Sequence, residues 1–244
     1  MNKYQKICRI ISVAFHLFSE KGFSEPSMRQ ISQQAGISLG LIDHYFGSKR
    51  KLGLLLFELL VRRARAEVEK YVDMDADPLL FDAALVRVNY TQCTSPQYKR
   101  FFLDCLEADI FFDFLALKPN LLIRKEMEEY GVELSDDILL LYGKFVPYNL
   151  EKTLSINKEK GFFSSIGYDE IPDYIFLSGV ERFLPGEVLK ATVIKAREIA
   201  GTILYALPEV SEEDISEYAA AFAEELFSNK QKDLQDCVNA KPGE

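Results

Sequence analysis

Apolar positions in the first fifth of the chain recur every three or four residues, which is the spacing of one face of an α-helix. Three such faces follow one another, and polar or turn-forming residues separate them. A helix with one apolar face must bury it, so we expect the three helices to pack together as one small unit. The faces consist of Ile7, Ile10, Ile11, Ala14, Phe15 and Phe18 in the first helix, Met28, Ile31 and Ala35 in the second, and Leu39, Ile42 and Phe46 in the third.

Capping residues mark the ends of the second and third helices. Ser27 stands three residues before Gln30, the spacing of a capping box in which each side chain bonds the other residue's backbone amide. Gly36 suits a tight turn because it lacks a Cβ, and Ser38 can cap the helix that follows. Two helices joined by so short a turn cross steeply, as in a helix-turn-helix unit that reads DNA. An ordinary antiparallel helix pair with a solvated polar face would show the same local signals.

The outward face of the third helix holds the candidate DNA-reading side chains. Gly40 would allow a close approach to the groove, and His44 and Tyr45 can bond phosphates or base edges. Asp43 can accept a hydrogen bond from a cytosine amino group. A phosphate at the start of the next helix would meet Lys49 together with free amide donors. The predicted DNA contacts are Ser27, Arg29, Ser38, Leu39, Gly40, Leu41, Asp43, His44, Tyr45 and Lys49.

Charge is distributed unevenly between this segment and the rest of the chain. Residues 1–65 carry eleven Lys and Arg against four Asp and Glu, a net charge of +7, whereas the whole chain carries −9. A cationic segment attracts phosphates and releases their counterions, which supplies much of the affinity for DNA. The acidic remainder would be repelled by DNA and held away from it.

Helical spacing also dominates the rest of the chain, and no long alternating strand pattern occurs, so the predicted fold is all-α. One pattern runs from Lys49 to about Val72; at ~1.5 Å per residue it is on the order of 36 Å long and can act as a lever between two domains. Residues 230–244 are polar and end in Gly and Pro, so we expect a disordered tail. Further helices are predicted near 78–92, 96–117, 119–130, 136–154, 170–183, 187–207 and 212–229.

Aromatic residues are concentrated in the middle of the chain. Such a group can line a pocket for an apolar or flat ligand, with acidic side chains available to a cation. It can equally form the core of a helical bundle, where aromatic side chains supply much of the buried area. The candidate ligand-binding residues are Phe101, Cys105, Glu107, Asp109, Phe112, Tyr142, Phe145, Tyr148 and Phe176.

The last two predicted helices carry an apolar stripe that suits dimerisation. Small residues in the stripe allow two helices to approach closely. The same stripe could instead pack within its own subunit. The candidate interface residues are Val193, Ala196, Ala200, Ile203, Leu204, Tyr218, Phe222 and Leu226.

Other chemistries find little support in the sequence. No C-x-x-C spacing occurs among the four cysteines, which are Cys8, Cys93, Cys105 and Cys237. We therefore expect no metal or redox site, and we expect reduced thiols in a cytoplasmic protein. The alternative is that Cys93 or Cys105 senses an oxidant. With two histidines and no P-loop, G-x-S-x-G or metal-spaced cluster, we expect neither an enzyme nor a cofactor, although a carboxylate-only enzyme stays open. No run of about 18 apolar residues predicts a membrane span.

The stretch from Ile7 to Leu52 resembles the DNA-binding segment of the tetracycline-repressor (TetR) family of bacterial regulators. The matching runs are AFHLFSEKGF at 14–23, MRQISQQAGISLG at 28–40 and HYFGSK at 44–49, followed by Leu52. The chain departs from the family pattern at Glu25-Pro26-Ser27 and at Asp43. These departures bear on which operator sequence would be read.

The resemblance implies an all-helical homodimer with an N-terminal helix-turn-helix domain at 1–48, joined by a long helix to a ligand-binding and dimerisation domain at 49–229. It further implies a repressor that a small-molecule effector, here largely apolar or aromatic, releases from a double-stranded DNA operator. Ligand binding would move the 49–72 lever and change the separation of the two reading helices. A helical protein-interaction scaffold without specific DNA binding is the alternative function.

Overall fold

A computed structural model describes residues 1–117 and 120–239, except for the side chains of residues 113, 114, 116, 117, 225 and 227–239. The described residues form helices and no strands, which confirms the predicted all-α fold. The helices are α1 (Lys3–Lys21), α2 (Met28–Ala35), α3 (Leu39–Phe46), α4 (Lys49–Val68), α5 (Pro78–Cys93), α6 (Lys99–Glu107), α7 (Ile110–Leu117), α8 (Leu121–Glu129), α9 (Asp136–Leu140), a π-helical turn (Leu141–Phe145), α10 (Val146–Glu159), α11 (Ile171–Val180), α12 (Gly186–Ala206) and α13 (Glu212–Asn239).

Helices α1 to α3 pack with the start of α4 around one apolar core. Ile10 and Phe18 of α1, Ile31 of α2 and Ile42 of α3 are all fully buried there. The predicted apolar faces therefore meet. This group of helices, residues 1–48 with the start of α4, is called the reading module below.

The reading module is bonded directly to α6 and to the turn that follows it. The Ser24 amide donates to Asp104 Oδ2 at 2.7 Å, and Phe18 stacks on Phe101 with ring centroids 5.9 Å apart. The Arg50 guanidinium donates to the Ala108 carbonyl at 3.0 Å and also to the Asp109 carbonyl. The module is thus fixed to the body of the protein by polar and aromatic contacts as well as by α4.

A second core lies among α5, α8, α11 and α12. Ala196, Ala200 and Ile203 of α12 are buried in it. Arg87 of α5 pairs with Asp173 of α11 and donates to the Asp169 carbonyl at 2.7 Å. This buried ion pair clamps α5 to α11.

Three predicted helix boundaries are wrong. The helix predicted over 96–117 is two helices, because the chain turns at Asp109, which adopts a φ of 51°. The helix predicted over 136–154 is interrupted by the π-helical turn. The last helix extends past 229 to Asn239, so residues 230–239 of the predicted tail are helical, as their Lys, Gln and Leu content permits; residues 240–244 lie outside the described part.

Helix α13 packs along α1 of the reading module. Ile215, Ala219 and Ala223 are buried, and Phe222 stacks on Phe46 at the end of α3 with ring centroids 5.9 Å apart. The Tyr218 hydroxyl donates to Glu58 Oε2 at 3.2 Å. The apolar side of α13 is therefore used within the subunit.

Candidate nucleic-acid interface

Local hydrogen bonds define the start of α2 and the turn between α2 and α3. Ser27 Oγ accepts from the Gln30 amide at 3.2 Å, and Gln30 Oε1 accepts from the Ser27 amide at 2.7 Å, which is the predicted capping box. Gly36 has a φ of 67°, where a Cβ would be strained, and the Ser32 hydroxyl donates to the Ile37 carbonyl at 2.6 Å. The Gly36 conformation and the Ser32–Ile37 bond therefore define the turn that leads into α3.

Helix α3 presents a mixed surface to solvent. Ser38, Gly40, Asp43 and His44 are exposed, and the Ser38 side chain makes no capping hydrogen bond, so its hydroxyl is available to another partner. The buried side of α3 is formed by Ile42, Phe46 and Tyr45. Leu39 and Leu41 are half-buried at the edges of the exposed surface, while Ser27 and Arg29 are exposed at the start of α2.

Tyr45 does not lie where the sequence placed it. Its side chain is only 7% exposed, and its ring packs edge-on against Phe46 with centroids 6.4 Å apart. A buried ring cannot reach a base or a phosphate in this conformation. The prediction of Tyr45 as a DNA contact is therefore corrected to a core position.

Gly40 stands in open space. A Cβ placed on it would meet no heavy atom of the protein within 4 Å. Packing within the chain therefore gives no reason for glycine at the second position of α3, although glycine within a helix costs up to about 0.5–1 kcal/mol relative to alanine. A requirement imposed from outside, such as close approach of a groove floor, would supply that reason.

Lys49 is bound inside the module. Its ammonium donates to the carbonyls of Phe23, Ser24 and Pro26 at 2.9, 3.1 and 3.1 Å, and it lies 4.4 Å from the centroid of the Phe23 ring. Burial lowers the pKa of Lys49. Since a Lys ammonium has three N–H donors, these carbonyls use all of them, and the predicted phosphate contact is corrected to a structural role.

Lys51 is the cation that sequence reasoning missed. It is exposed in the first turn of α4, and its backbone amide donates to Ser48 Oγ at 3.3 Å. Arg50 is bonded to the turn after α6, so of the three consecutive cations at 49–51 only Lys51 is fully exposed. The run of three like charges gave no means of telling which one would remain in solvent.

The candidate ligand-binding residues do not converge on one site. Phe101 and Cys105 are buried under the reading module, and Glu107 is exposed. Asp109 Oδ1 accepts from the Tyr148 hydroxyl at 3.1 Å and from Lys152 Nζ at 2.6 Å, and the bond from Lys152 lowers the pKa of Asp109.

The remaining four candidates fall into two pairs. Phe112 stacks on Phe145 with ring centroids 5.1 Å apart. Tyr142 and Phe176 line a cavity of about 210 Å³ between α5, α8, the π-helical turn and α11. The predicted group therefore includes part of one cavity wall, and its other members lie elsewhere in the core or at the surface.

The candidate dimer residues also have different environments. Ala196, Ala200 and Ile203 face α5 within the subunit, and Tyr218, Phe222 and Leu226 pack against the reading module and α4. Ala196, Ala200, Ile203 and Tyr218 are buried within the subunit and are corrected to intramolecular positions, which was the alternative stated for the stripe. Phe222 and Leu226 are half-buried and stay predictions. Val193 and Leu204 are half-buried and border the exposed side of α12.

Among the described residues, the cysteines and the potential metal ligands form no further site. Cys93 and Cys105 are fully buried, and burial raises the pKa of both thiols, so neither is poised as a thiolate. The described residues bring together no group of three or more side chains that could hold a metal ion. Among them, no helix is both long and apolar enough to cross a membrane.

Comparison with known proteins gives a match in the reading module. Residues 10–54 match the family model for bacterial regulatory proteins of the tetR family. An HTH-type transcriptional regulator BetI from Brucella anthropi is 29% identical over 82 residues, covering 34% of this chain and 42% of the relative. The BetI regulator of Rhizobium meliloti is 28% identical over 81 residues, covering 33% and 40% of the two chains. The matches thus span about two fifths of these relatives.

A distant likeness to a solved structure extends further along the chain. The crystal structure of a gamma-butyrolactone receptor, an ArpA-like protein, aligns over 81% of this chain and 97% of its own with a TM-score of 0.37 and 16% identity. At that TM-score and identity the alignment says nothing about a ligand.

Proposed function

Because the chain belongs, through its N-terminal segment, to the TetR family of bacterial regulatory proteins, we propose that it is a ligand-responsive transcriptional regulator that binds operator DNA. The observation that carries this proposal is the exposed surface of α3, which follows the short turn at Gly36 within a segment of net charge +7. We further propose a cytoplasmic, non-enzymatic repressor that leaves its operator when a small, largely apolar effector binds.

The exposed side chains divide into two roles in this proposal. Arg29 and Lys51 neutralise phosphates, and the Ser38 hydroxyl donates to a phosphate at the positive end of α3. His44 and Asp43 bond base edges in the major groove, and Leu41 contacts a thymine methyl group. Gly40 lets the helix backbone come close to the bases.

The proposal is tested by selecting bound duplexes from fragmented genomic DNA and titrating the recovered site. We expect tight binding that weakens as salt rises, with log K falling by about 0.9 per log unit of salt for each neutralised phosphate. Gly40→Ala should weaken binding about tenfold while leaving thermal stability unchanged or slightly higher, because alanine favours the helix.

Two outcomes would contradict this assignment. Absence of duplex binding at low salt would remove the regulator function and favour the protein-interaction scaffold. Unchanged affinity in Gly40→Ala would mean that α3 does not approach DNA through this surface.

We propose that the regulator is a homodimer joined through the exposed side of α12. Ile194 and Tyr205 are 50% and 96% exposed and share one face of α12, because eleven residues make nearly three full helical turns. Beside them, α11 and α12 enclose a groove of about 620 Å³ that is lined mainly by apolar surface and includes Tyr174, itself 44% exposed. A second copy would cover this patch and bring two reading modules to two half-sites.

Ile194→Glu is expected to convert the dimer to a monomer, because it places a charge in an apolar contact. Sedimentation equilibrium would then give a mass near 27.9 kDa instead of twice that value. Lys195→Glu, about 100° further around α12, is the control and should leave the dimer intact. A wild-type protein that is monomeric at micromolar concentration would refute the dimer proposal.

A further inference from the structure

The cavity between α5, α8, the π-helical turn and α11 combines an apolar wall with two acidic side chains, of which Glu126 is buried. Val86, Ile123 and Phe176 are among its apolar residues, while Asp82 and Glu126 supply two carboxyl groups. Its volume is about 210 Å³. A water molecule in the liquid occupies ~30 Å³, so the cavity has room for roughly seven groups of that size. The cavity is therefore large enough for a small organic molecule.

Glycine allows the walls of this cavity to approach one another closely. A Cβ at Gly143 in the π-helical turn would lie 2.7 Å from Ile123 Cγ2 on α8, and one at Gly179 on α11 would lie 2.9 Å from the Tyr142 carbonyl oxygen. π-Helical turns occur frequently at functional sites. Here the turn carries Tyr142 and Lys144 into the cavity wall.

Two buried acceptors in the cavity lack partners. Glu126 is 1% exposed, and its Oε1 atom has no hydrogen-bond partner among the described residues. Asn120 Oδ1 is buried and unpartnered in the same way. Leaving a buried acceptor without a donor costs about 1–3 kcal/mol, and more for a charged group. A ligand that donates hydrogen bonds would remove this cost.

The charges around Glu126 favour a positive ligand. Burial raises the pKa of Glu126, and the negative charges of Asp82 and Glu129 raise it further. Burial also raises the pKa of Asp82 and lowers that of Lys144, the cation of the cavity wall. Asp82 and Glu126 thus supply two carboxyl groups to the cavity wall, and Lys144 supplies one ammonium.

We infer that this cavity binds a small protonated amine whose N–H groups donate to Glu126 and Asn120 and whose carbon atoms contact Phe176 and Tyr142. The described residues include no group of three or more metal ligands, and the apolar wall suits carbon atoms, so an organic cation fits better than a metal ion. The inference rests on the proposed function in one respect, because it identifies the amine as the effector of the proposed regulator.

A bonded path leads from the cavity to the reading module. Asp82 lies on α5, and Gln92 at the other end of α5 donates through Nε2 to the Leu60 carbonyl of α4 at 2.9 Å. Helix α4 begins at Lys49 inside the module. A shift of α5 on amine binding would therefore be transmitted to α4.

The test is calorimetric titration of the full chain with n-butylammonium, without DNA. We expect binding, with at least tenfold weaker binding of 1-butanol and butyrate, which lack the positive charge, and of tetramethylammonium, which lacks N–H donors. Glu126→Gln should weaken butylammonium binding at least tenfold, whereas Glu128→Gln, exposed on the same helix and outside the cavity lining, should change it less than twofold. Affinity should rise as the pH increases through about 7, the raised pKa of Asp82, because the ionised carboxylate attracts the ammonium.

Asp82→Asn provides a second variant if Glu126→Gln does not fold, and should also weaken binding. Equal binding of butyrate or butanol, unchanged affinity in Glu126→Gln, or no binding of butylammonium would overturn the inference. Operator binding without amine binding would leave the proposed function intact and remove only the inference. Amine binding by a protein that does not bind DNA would leave the inference about the cavity intact and remove the proposed regulator function.

Discussion

Replacing Asp173 with Ala is expected to lower the free energy of unfolding by about 3–5 kcal/mol, the usual cost of leaving one member of a buried ion pair without its partner. The Arg87 side chain is 9% exposed and that of Asp173 is 13% exposed. Without the carboxylate, the buried guanidinium would keep only its bond to the Asp169 carbonyl, and its Nε is already unpartnered in the described structure. Urea denaturation followed by circular dichroism measures the loss.

Two control variants separate the buried pair from its exposed neighbours. Asp169→Ala keeps the backbone carbonyl that Arg87 uses and should cost less than about 1 kcal/mol. Arg197→Ala removes a second partner of Asp173, whose Oδ2 accepts from Arg197 Nε at 2.9 Å. Since the Arg197 side chain is 49% exposed, its loss should also cost no more than about 1 kcal/mol. A loss below 1 kcal/mol in Asp173→Ala would show that Arg87 finds water or another acceptor.

The Arg87–Asp173 pair matters for function because it joins two walls of the amine cavity. Asp82 lies just over one turn before Arg87 on α5, and Ile175 and Phe176 follow Asp173 on α11. Stability at this clamp and affinity for a ligand are therefore coupled. A variant that loosens the clamp should bind butylammonium more weakly even though it leaves Glu126 unchanged.

The sequence predicts the reading module well because its signals are local. The capping box at Ser27 and the turn at Gly36 fix the bounds of α2 and α3 within a few residues of chain. Side-chain roles at Tyr45 and Lys49 depend instead on where the Phe23–Pro26 loop and the buried side of α3 lie. That information is tertiary, so helical spacing alone assigned both residues to DNA.

The roles of the cavity acids could not be predicted from local sequence signals either. In the sequence, Glu126 belongs to the charged run RKEMEEY and reads as part of a solvated helix face. Only the folded chain brings it beside Asp82 and Asn120 and seals it from water. The apolar stripe of α12 was ambiguous for a similar reason, since burial against α5 and burial against a second copy have one sequence pattern.

Lys49→Ala and Lys51→Ala are expected to change different properties of the protein, although the two cations are only two residues apart. Lys49→Ala removes the donor to three carbonyls and should destabilise the reading module by about 2–4 kcal/mol, since hydrogen bonds from a charged group are worth more than neutral ones. Hydrogen exchange of the amides in residues 1–48 measures this loss directly.

Lys51→Ala should leave that exchange unchanged and should instead weaken binding to every duplex by a similar factor, reducing the salt dependence by about one phosphate. If Lys49→Ala weakened DNA binding without faster exchange, its ammonium would have to leave the three carbonyls for a phosphate when DNA binds. The pair of variants therefore distinguishes a cation that stabilises the reading module from one that contributes to DNA affinity. The run of basic residues in the sequence does not make this distinction.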